Sequence, residues 1–333
     1  MAGRERFLVT GAMGCLGAWT TRALVDEGAD IVAFDYSTDD HRLRLLLSDE
    51  ELPGLRLVQG DIADTDTVLG VVEQERITHI IHLAALQVPF CRADPPRGAA
   101  VNVTGTVNVF EAARSSPRVE GVAYASSVAV FGPAHLYGDV VGDDDPRAPE
   151  TIYGVYKQAG EDAARVYALD HGLASVGLRP HTIYGPGRDQ GLTSEATWAM
   201  VAAAAGVPFR ISHGGSSQYQ YAPDVARLFV AAARARPDGA EALNLGGPSA
   251  AMHEVVAAIE AACAESAGTI GHDEVALPFP AHLDDSGLRR LLGDVTYTPL
   301  VEGVAASIDR FRRLIAEQKV APRPVPTPEA GPA

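Results

Sequence analysis

The chain has 333 residues, 47% of them hydrophobic, and a formal net charge of −16 at pH 7. This length fits one large α/β unit with a smaller lobe, and the apolar fraction suffices for a substantial core. The negative charge argues against a nucleic-acid partner, because phosphates require basic patches. No apolar run approaches the roughly 20 residues that span a bilayer, so no membrane partner is expected.

The N-terminal sequence and the cysteines predict a cytoplasmic protein. Residues 1–14 lack the apolar core and the cleavage site of a signal peptide. Cys15, Cys91 and Cys263 are scattered and form no CxxC pair, so neither a disulfide framework nor a metal site is expected.

Short apolar runs in the first half of the chain predict strands that alternate with helices. The predicted strands are Arg6–Thr10, Ile31–Phe34, Leu55–Gln59, Ile77–Leu83 and Val122–Ala125. The predicted helices are Gly17–Asp26, Asn102–Ala113 and Tyr153–Leu169. This alternation predicts an α/β fold whose parallel sheet is covered on both faces.

The alternation is weaker beyond about Gly177. Here the sequence predicts helices at Glu195–Ala205, Pro223–Arg236 and His253–Cys263, and a strand at Ala242–Leu245. The tail, residues 320–333, is rich in proline and poor in apolar residues, and we predict that it is disordered.

A glycine loop, TGAMGCLG at residues 10–17, follows the first strand and opens a helix. Glycines here allow a tight turn and a close approach of the backbone to a pyrophosphate, while the helix N-terminus presents N–H groups to the phosphates. The loop therefore predicts a dinucleotide site. Its expected contacts are Gly11, Met13, Gly14, Cys15, Leu16 and Gly17.

Asp35 ends the second predicted strand and indicates which dinucleotide binds. A carboxylate at this place accepts both ribose hydroxyls of adenosine and repels a 2′-phosphate. Tyr36 and the two residues after it include no arginine that could hold such a phosphate. NAD is therefore the predicted cofactor.

Tyr153 and Lys157 lie one helical turn apart, so both side chains share one face of a helix. The only other lysine is Lys319. A phenol with an ordinary pKa near 10 is a poor base at pH 7. A cation about 4 Å away, at an effective dielectric near 20, favours its ionised form by about 4 kcal/mol, or roughly three pKa units. We predict that Tyr153 is a base assisted by the Lys157 ammonium.

The motifs of the chain occur in the order found in extended short-chain dehydrogenases/reductases of the NAD-dependent epimerase/dehydratase family. They are the GxxGxxG loop, GDI at 60–62, HLAA at 82–85, Asn102, YASSVAVFG at 124–132, YxxxK at 153–157 and RPHTIYGPG at 179–187. From residue 6 to about residue 310 the chain resembles this family. The resemblance implies a catalytic set of Ser127, Tyr153 and Lys157, in which Ser127 orients the substrate oxygen toward Tyr153.

The resemblance also implies an architecture and an assembly. We expect a Rossmann-type doubly wound parallel sheet with a smaller C-terminal α/β substrate lobe. Residues 1–178 would form the NAD-binding domain and 179–319 mainly the lobe, with segments near 220–250 returning to the sheet. A homodimer through helices near Ala99–Arg114 and Tyr153–Leu169 is also implied.

Individual contacts follow from the resemblance as well. Further residues implied to contact NAD are Tyr36, Asp61, Ile62, Leu83, Ala84, Ala85, Asn102, Tyr153, Lys157 and Pro180. Residues implied to contact substrate are Gln87, Ser127, Thr182 and Arg188. For Arg188, a surface arginine paired with Asp189 is the alternative interpretation.

Two departures from the family pattern narrow the reaction and the substrate. Val128 and Ala129 replace the acidic pair of the family's dehydratases, so dehydration is not expected. Ser217 stands where nucleotide-sugar enzymes carry a diphosphate-binding arginine, and no Arg or Lys lies between Arg236 and Arg289. A diphosphate would lack charge-assisted hydrogen bonds worth about 1.5–3 kcal/mol each.

We therefore predict an NAD-dependent dehydrogenase or epimerase that acts at a secondary alcohol of a small polyhydroxylated substrate. A free sugar, a sugar acid or a cyclitol fits this description. A nucleotide-sugar 4-epimerase with tightly bound NAD is the alternative. A non-catalytic NAD-binding regulatory protein is a more remote one.

Overall fold

A computed structural model describes residues 5–323. Its strands are β1 (Arg6–Thr10), β2 (Asp30–Asp35), β3 (Arg56–Gln59), β4 (His79–His82), β5 (Gly121–Ala125), β6 (Ser175–Arg179), β7 (Thr182–Tyr184), β8 (Phe209–Ile211), β9 (Ser216–Tyr221), β10 (Ala240–Asn244), β11 (Ser249–Ala251) and β12 (Ile270–His272). Its helices are α1 (Cys15–Asp26), α2 (His41–Leu46), α3 (Thr65–Gln74), α4 (Val88–Ala93), α5 (Pro95–Ala99), α6 (Gly105–Ser115), α7 (Ile152–His171), α8 (Glu195–Ala205), α9 (Ala222–Arg234), α10 (Met252–Ala262), α11 (Ser286–Leu292) and α12 (Leu300–Ala316).

Seven strands form a parallel sheet in the order β10-β6-β5-β4-β1-β2-β3. From β1 the chain winds outward through β2 and β3, and then returns to add β4, β5 and β6 on the other side. The strand order therefore reverses between β1 and β4, and ligands of such sheets bind at the carboxyl ends of the strands at this point. The predicted α/β class and the Rossmann-type doubly wound sheet are confirmed.

Neighbouring residues of β1 enter cores on opposite faces of the sheet. Phe7 and Val9 pack with Phe229 of α9, whereas Leu8 packs with Phe110 of α6. Successive side chains of a strand point to opposite faces of the sheet. Both faces of a central parallel strand are covered, so the strand needs a continuous apolar run. This packing fixes the carboxyl end of β1, from which the glycine loop starts.

The second half of the chain adds a smaller lobe and contributes again to the sheet. Helices α8, α10 and α12 pack together with Met200, Ile259 and Phe311 in their common core. Between α8 and α10 the chain returns to the sheet, where α9 packs against α1 and β10 pairs with β6. Strands β7, β9 and β11 form a separate three-stranded sheet.

Helix α7, which carries the tyrosine–lysine pair, has clear signals at both ends. The Thr151 hydroxyl accepts a hydrogen bond from the Gly154 N–H at its N-terminus. Gly172 ends it in the left-handed conformation, with φ of 65°. The predicted helix Tyr153–Leu169 is confirmed with its bounds extended to Ile152–His171.

Two segments differ from the sequence-based expectation. The predicted helix Asn102–Ala113 is wrong at its start, because a π-helical turn at Ala100–Thr104 contains Asn102 and precedes α6. Strand β6 was not predicted, since Gly177 interrupts its apolar run. A Cβ at Gly177 would lie 2.4 Å from the Tyr124 ring, so this strand position excludes a side chain.

The predicted disordered tail lies outside the described residues from residue 324 onward. Before that point, the Arg323 guanidinium lies 4.0 Å from the centroid of the Trp198 ring and donates to the carbonyl of Asp189. Within residues 5–323 no helix has the length and apolarity needed to cross a membrane.

Candidate active site

A cavity of about 360 Å³ opens at the carboxyl ends of β1, β2 and β4, where the strand order reverses. Its walls come from the glycine loop, the end of β2, the turn after β3, the segment after β4 and residues 187–190. The cavity thus lies at the position where doubly wound sheets bind dinucleotides.

The glycine loop forms one wall through its backbone. Gly11 has φ of 70°, and a Cβ there would lie 2.6 Å from the Ala84 nitrogen. Gly14 caps α1 without a side-chain hydrogen bond, which leaves the first N–H groups of the helix available to an anion. Gly11, Met13, Gly14 and Cys15 line the cavity.

Leu16 and Gly17 are not part of this wall in the described structure. A Cβ on Gly17 would lie 2.0 Å from the Gly11 carbonyl oxygen, so Gly17 permits close packing of α1 beneath the loop. Direct contact of these two residues with NAD stays a prediction.

The Asp35 carboxylate is fixed at the floor of the cavity by backbone groups. Its Oδ2 accepts a hydrogen bond from the Met13 N–H at 2.9 Å, and its Oδ1 accepts one from the Ser37 N–H at 2.9 Å. The carboxylate therefore supports the glycine loop and also lines the cavity. This arrangement fits the ribose-binding role predicted for Asp35.

An arginine that was not predicted from the sequence closes the outer edge of the cavity. The Arg97 guanidinium lies 5.7 Å from the centroid of the Tyr36 ring and pairs with the Asp61 carboxylate at 2.9 Å. Asp61 and Ile62 also line the cavity. No local motif identifies Arg97, because its partners are distant in the sequence.

The segment after β4 forms the opposite wall, with Leu83, Ala84 and Ala85 in the lining. Asn102 holds this segment from behind: its amide donates to the Leu86 carbonyl at 2.9 Å and accepts from the Leu86 N–H at 2.7 Å. Asn102 is buried and positions the wall rather than lining the cavity.

The predicted catalytic set comes from the segment after β5 and from the first two turns of α7. Ser127 follows β5, and its Oγ accepts a hydrogen bond from the Ala129 N–H at 3.2 Å. The Lys157 Nζ lies 5.6 Å from the centroid of the Tyr153 ring and donates to the Ala125 carbonyl at 2.7 Å. Because the Ser127 hydroxyl also lies beside the Tyr153 phenol, the three predicted residues come together, although none of them belongs to the cavity lining.

Burial changes the proton affinities of this set. It raises the pKa of the Tyr153 phenol, and the nearby Ser127 hydroxyl and the Arg188 charge oppose this effect. It lowers the pKa of the Lys157 ammonium to about 8. The phenol is therefore protonated in the protein alone, and lowering of its pKa by Lys157 stays a prediction. NAD, when bound, supplies an additional positive charge and a hydride acceptor.

Arg188 and Gln87 both line the cavity. The Arg188 Nη2 donates to the Thr193 hydroxyl at 2.9 Å, while its Nε is buried without a hydrogen-bond partner. The Asp189 carboxylate is bound instead by Arg42 at 2.6 Å and by His41 at 3.0 Å. Pairing of Arg188 with Asp189, the alternative interpretation, is therefore wrong.

Thr182 does not reach the cavity in the described structure. Its hydroxyl lies 2.7 Å from the Ser217 hydroxyl, which lies 3.1 Å from His181 Nδ1. The other ring nitrogen of His181 donates to the Pro280 carbonyl at 2.7 Å, so Nδ1 acts as an acceptor. Burial lowers the pKa of His181 to about 4, which keeps the ring neutral. Contact of Thr182 with substrate stays a prediction.

Pro180 also lies outside the lining in the described structure, and its carbonyl accepts a hydrogen bond from the Val128 N–H at 3.0 Å. This bond ties the start of the segment at 179–187 to the residue after Ser127. Within residues 5–323 there is no group of three or more His, Cys, Asp or Glu side chains that could hold a metal ion.

Comparisons with known proteins identify the family of the chain. The NAD dependent epimerase/dehydratase family matches residues 7–246. The UDP-glucose 4-epimerase of Mycolicibacterium smegmatis is 31% identical over 321 residues, which cover 92% of this chain and 98% of that protein.

Two solved structures cover nearly the whole chain. MoeE5 in complex with UDP-glucose and NAD is 28% identical with a TM-score of 0.76, covering 93% of this chain and 100% of that one. A partial consensus L-threonine 3-dehydrogenase is 25% identical with a TM-score of 0.80 and the same coverage. Epimerases and dehydrogenases of this kind are enzymes that use NAD. This chain therefore belongs to the NAD-dependent epimerase/dehydratase family and is an NAD-dependent enzyme of the epimerase/dehydrogenase type.

Proposed function

We propose that the protein catalyses reversible hydride transfer between NAD and a secondary alcohol of a small polyhydroxylated substrate. The observation that carries this proposal is the convergence of Ser127, Tyr153 and Lys157 beside the cavity of the glycine loop, with the Lys157 Nζ 5.6 Å from the Tyr153 ring centroid. Free sugars, sugar acids and cyclitols are the substrate classes that we infer.

Each of the three residues has a separate role in this proposal. Ser127 holds the substrate hydroxyl, and Tyr153 accepts its proton as the carbon gives up a hydride. The Lys157 ammonium stabilises the phenolate that forms. The ketone is then either released or reduced again on its other face, which gives the epimer.

The environment of Ser217 supports a substrate without a nucleotide. Ser217 is 2% exposed, and its hydroxyl is engaged with Thr182 and His181. The next arginine after Arg236, Arg289, is bound to Asp285 and to the Val295 carbonyl. Neither of these two positions offers a free cation to a diphosphate.

A nucleotide-sugar 4-epimerase is the second candidate. Its support is the similarity to the UDP-glucose 4-epimerase of M. smegmatis across 92% of this chain. In that case neutral groups and backbone N–H groups would hold the diphosphate, and NAD would remain bound through both half-reactions.

The two candidates separate in a substrate screen. NADH formation would be followed with free sugars, sugar acids, cyclitols and nucleotide sugars, and interconversion of UDP-glucose and UDP-galactose would be followed in parallel. We expect NADH formation or epimerisation with a substrate that carries no nucleotide. Turnover of nucleotide sugars alone would reverse the order of the two candidates.

We further propose a homodimer through α6 and α7. Val155, Val166 and Leu169 on α7 are 45%, 42% and 72% exposed, which is unusual for apolar side chains in regular positions along one helix. Sedimentation analysis should give a dimer for the wild type and a monomer for Leu169→Glu. A wild-type monomer at micromolar concentration would contradict this assembly.

We place the enzyme in the cytoplasm and in carbohydrate metabolism. Support comes from Cys15, Cys91 and Cys263, which are all free thiols. Cell fractionation followed by the NADH assay tests the compartment.

A further inference from the structure

Arg188 carries a charge that no described side chain neutralises. Its Nε is shielded from solvent and lacks a hydrogen-bond partner, and its Nη2 donates only to the neutral Thr193 hydroxyl. The Asp189 carboxylate next to it is bound by Arg42 and His41. Arg188 is only partly exposed, and a charge that is shielded from water without a counterion is unfavourable, so the guanidinium favours an anion from outside the chain.

The ionisable groups around Arg188 do not supply that anion. These groups are Cys15, Tyr153, Asp189 and Arg42. Burial raises the pKa of the Cys15 thiol to about 12 and also raises that of the Tyr153 phenol, so both are neutral at physiological pH. The net charge around the guanidinium therefore remains positive.

Arg188 and Gln87 both line the cavity. Gly191 has φ of 87°, and a Cβ there would lie 2.2 Å from Gln87 Oε1 and 3.4 Å from Arg188 Nη2. Gly191 thus leaves room for these two side chains to approach each other. The Arg188 charge also acts on the Tyr153 phenol, the group that takes the substrate proton in the proposed function.

We propose that Arg188 binds the carboxylate of the substrate, so that the enzyme acts on a hydroxy acid whose acid group lies near the reacting carbinol. This inference rests on the proposed function and names its substrate class. A guanidinium forms paired hydrogen bonds with a planar carboxylate. One free guanidinium matches the single charge of a carboxylate, whereas a phosphate monoester carries about −1.5 to −2. The pyrophosphate of NAD has its own donors in the glycine loop and the N-terminus of α1.

The test measures binding to the NAD-loaded protein by calorimetry, with D-galacturonate, D-gluconate and L-threonate as probes and the methyl ester of each as its neutral partner. We expect at least one acid to bind about tenfold or more tightly than its ester. Arg188→Met should abolish this preference, and Arg188→Lys should retain part of it. Arg313→Met, a change at an exposed position of α12, is the matched control and should keep the full preference. Equal binding of acids and esters by the wild type would overturn the proposal, as would the absence of binding by all three acids.

A second measurement, of NAD affinity, distinguishes whether Arg188 binds a substrate carboxylate or the pyrophosphate of NAD. If Arg188→Met weakened NAD binding tenfold or more while the acid preference stayed intact, Arg188 would serve the pyrophosphate and the proposal would be wrong. Arg188-dependent binding of an acid that yields neither NADH nor an epimer of that acid would uphold the anion site while contradicting the proposed function.

Discussion

Arg42 and Asp189 lie 147 residues apart in the sequence and form an ion pair, in which Arg42 Nε and Nη2 approach Asp189 Oδ1 at 3.0 and 2.6 Å. The third nitrogen, Nη1, donates to the Met13 carbonyl at 2.9 Å. One side chain thus connects the glycine loop to the loop that carries Arg188. It also occupies the carboxylate that would otherwise neutralise Arg188.

Arg42→Met should therefore weaken the binding of a substrate carboxylate by Arg188, although Arg42 is not the residue proposed to bind that carboxylate. The released Asp189 carboxylate becomes a counterion for Arg188, and we expect the preference for acids over methyl esters to fall about tenfold, equivalent to about 1.4 kcal/mol. Calorimetry with the same probes measures this change. Arg44→Met is the control, because Arg44 lies on the same helix and pairs with Asp40 at the surface. An unchanged preference in Arg42→Met would show that Asp189 does not compete for Arg188.

Tyr153→Phe should reduce turnover by 10²–10⁴-fold, the range lost with a general base. NAD affinity should stay within a few-fold, since one hydroxyl is removed from a largely separate site. Steady-state kinetics and NAD titration test both parts. Tyr156→Phe is a matched control on the same helix, because the Tyr156 hydroxyl donates to the Pro95 carbonyl away from the catalytic set. Retention of more than about a tenth of the activity in Tyr153→Phe would exclude Tyr153 as the base.

Replacing Asp35 by Ala together with Tyr36 by Arg should shift the cofactor preference toward NADP. The change removes the charge that repels a 2′-phosphate and adds a partner for it. Because Asp35 also accepts the Met13 N–H, the affinity for NAD should fall at the same time. The ratio of kcat/KM for the two cofactors gives the result. A wild-type enzyme that prefers NADP would contradict the assignment of Asp35.

UDP and dTDP should bind the NAD-loaded protein only in the millimolar range or more weakly. Ser217→Arg should lower stability rather than tighten nucleotide binding, because Ser217 is buried. Ser217→Ala should cost about 1 kcal/mol, because it removes the hydrogen bonds of Ser217 with Thr182 and His181, although these two groups lie 3.2 Å apart and can still bond to each other. Micromolar binding of UDP by the wild type would favour the nucleotide-sugar candidate.

Stability of the cofactor-free protein should depend on Lys157 at alkaline pH. Burial lowers the pKa of Lys157 from 10.5 to about 8, so the unfolded chain holds the proton more tightly than the folded protein between these values. Between pH 8 and 10.5 the free energy of unfolding of the wild type should therefore rise, relative to that of Lys157→Met, by an amount on the order of 3 kcal/mol. Urea unfolding of both proteins across this range measures the difference. Parallel pH curves would show that Lys157 is not desolvated.

Features that depend on residues close together in the sequence could be predicted from it. The positive φ of Gly11 and the shared helix face of Tyr153 and Lys157 follow from local rules, and these define the glycine loop and the catalytic pair. The Arg42–Asp189 pair could not be predicted, because it joins residues 147 positions apart. The burial of Ser217 depends in the same way on the Pro280 segment, which reaches His181 only in the folded protein.

The loop that carries Arg188 is held in place by residues that come later in the sequence. The Asp189 carbonyl accepts hydrogen bonds from Trp198 and from Arg323, whose guanidinium also covers the Trp198 ring. The glycine loop and the strands around it all lie within the first 125 residues. During synthesis on the ribosome the glycine loop and these strands therefore emerge first, whereas residues 187–190, which complete the cavity wall, receive their final support only after residue 323 has left the exit tunnel. A nascent chain would have its glycine loop in place before its cavity could close.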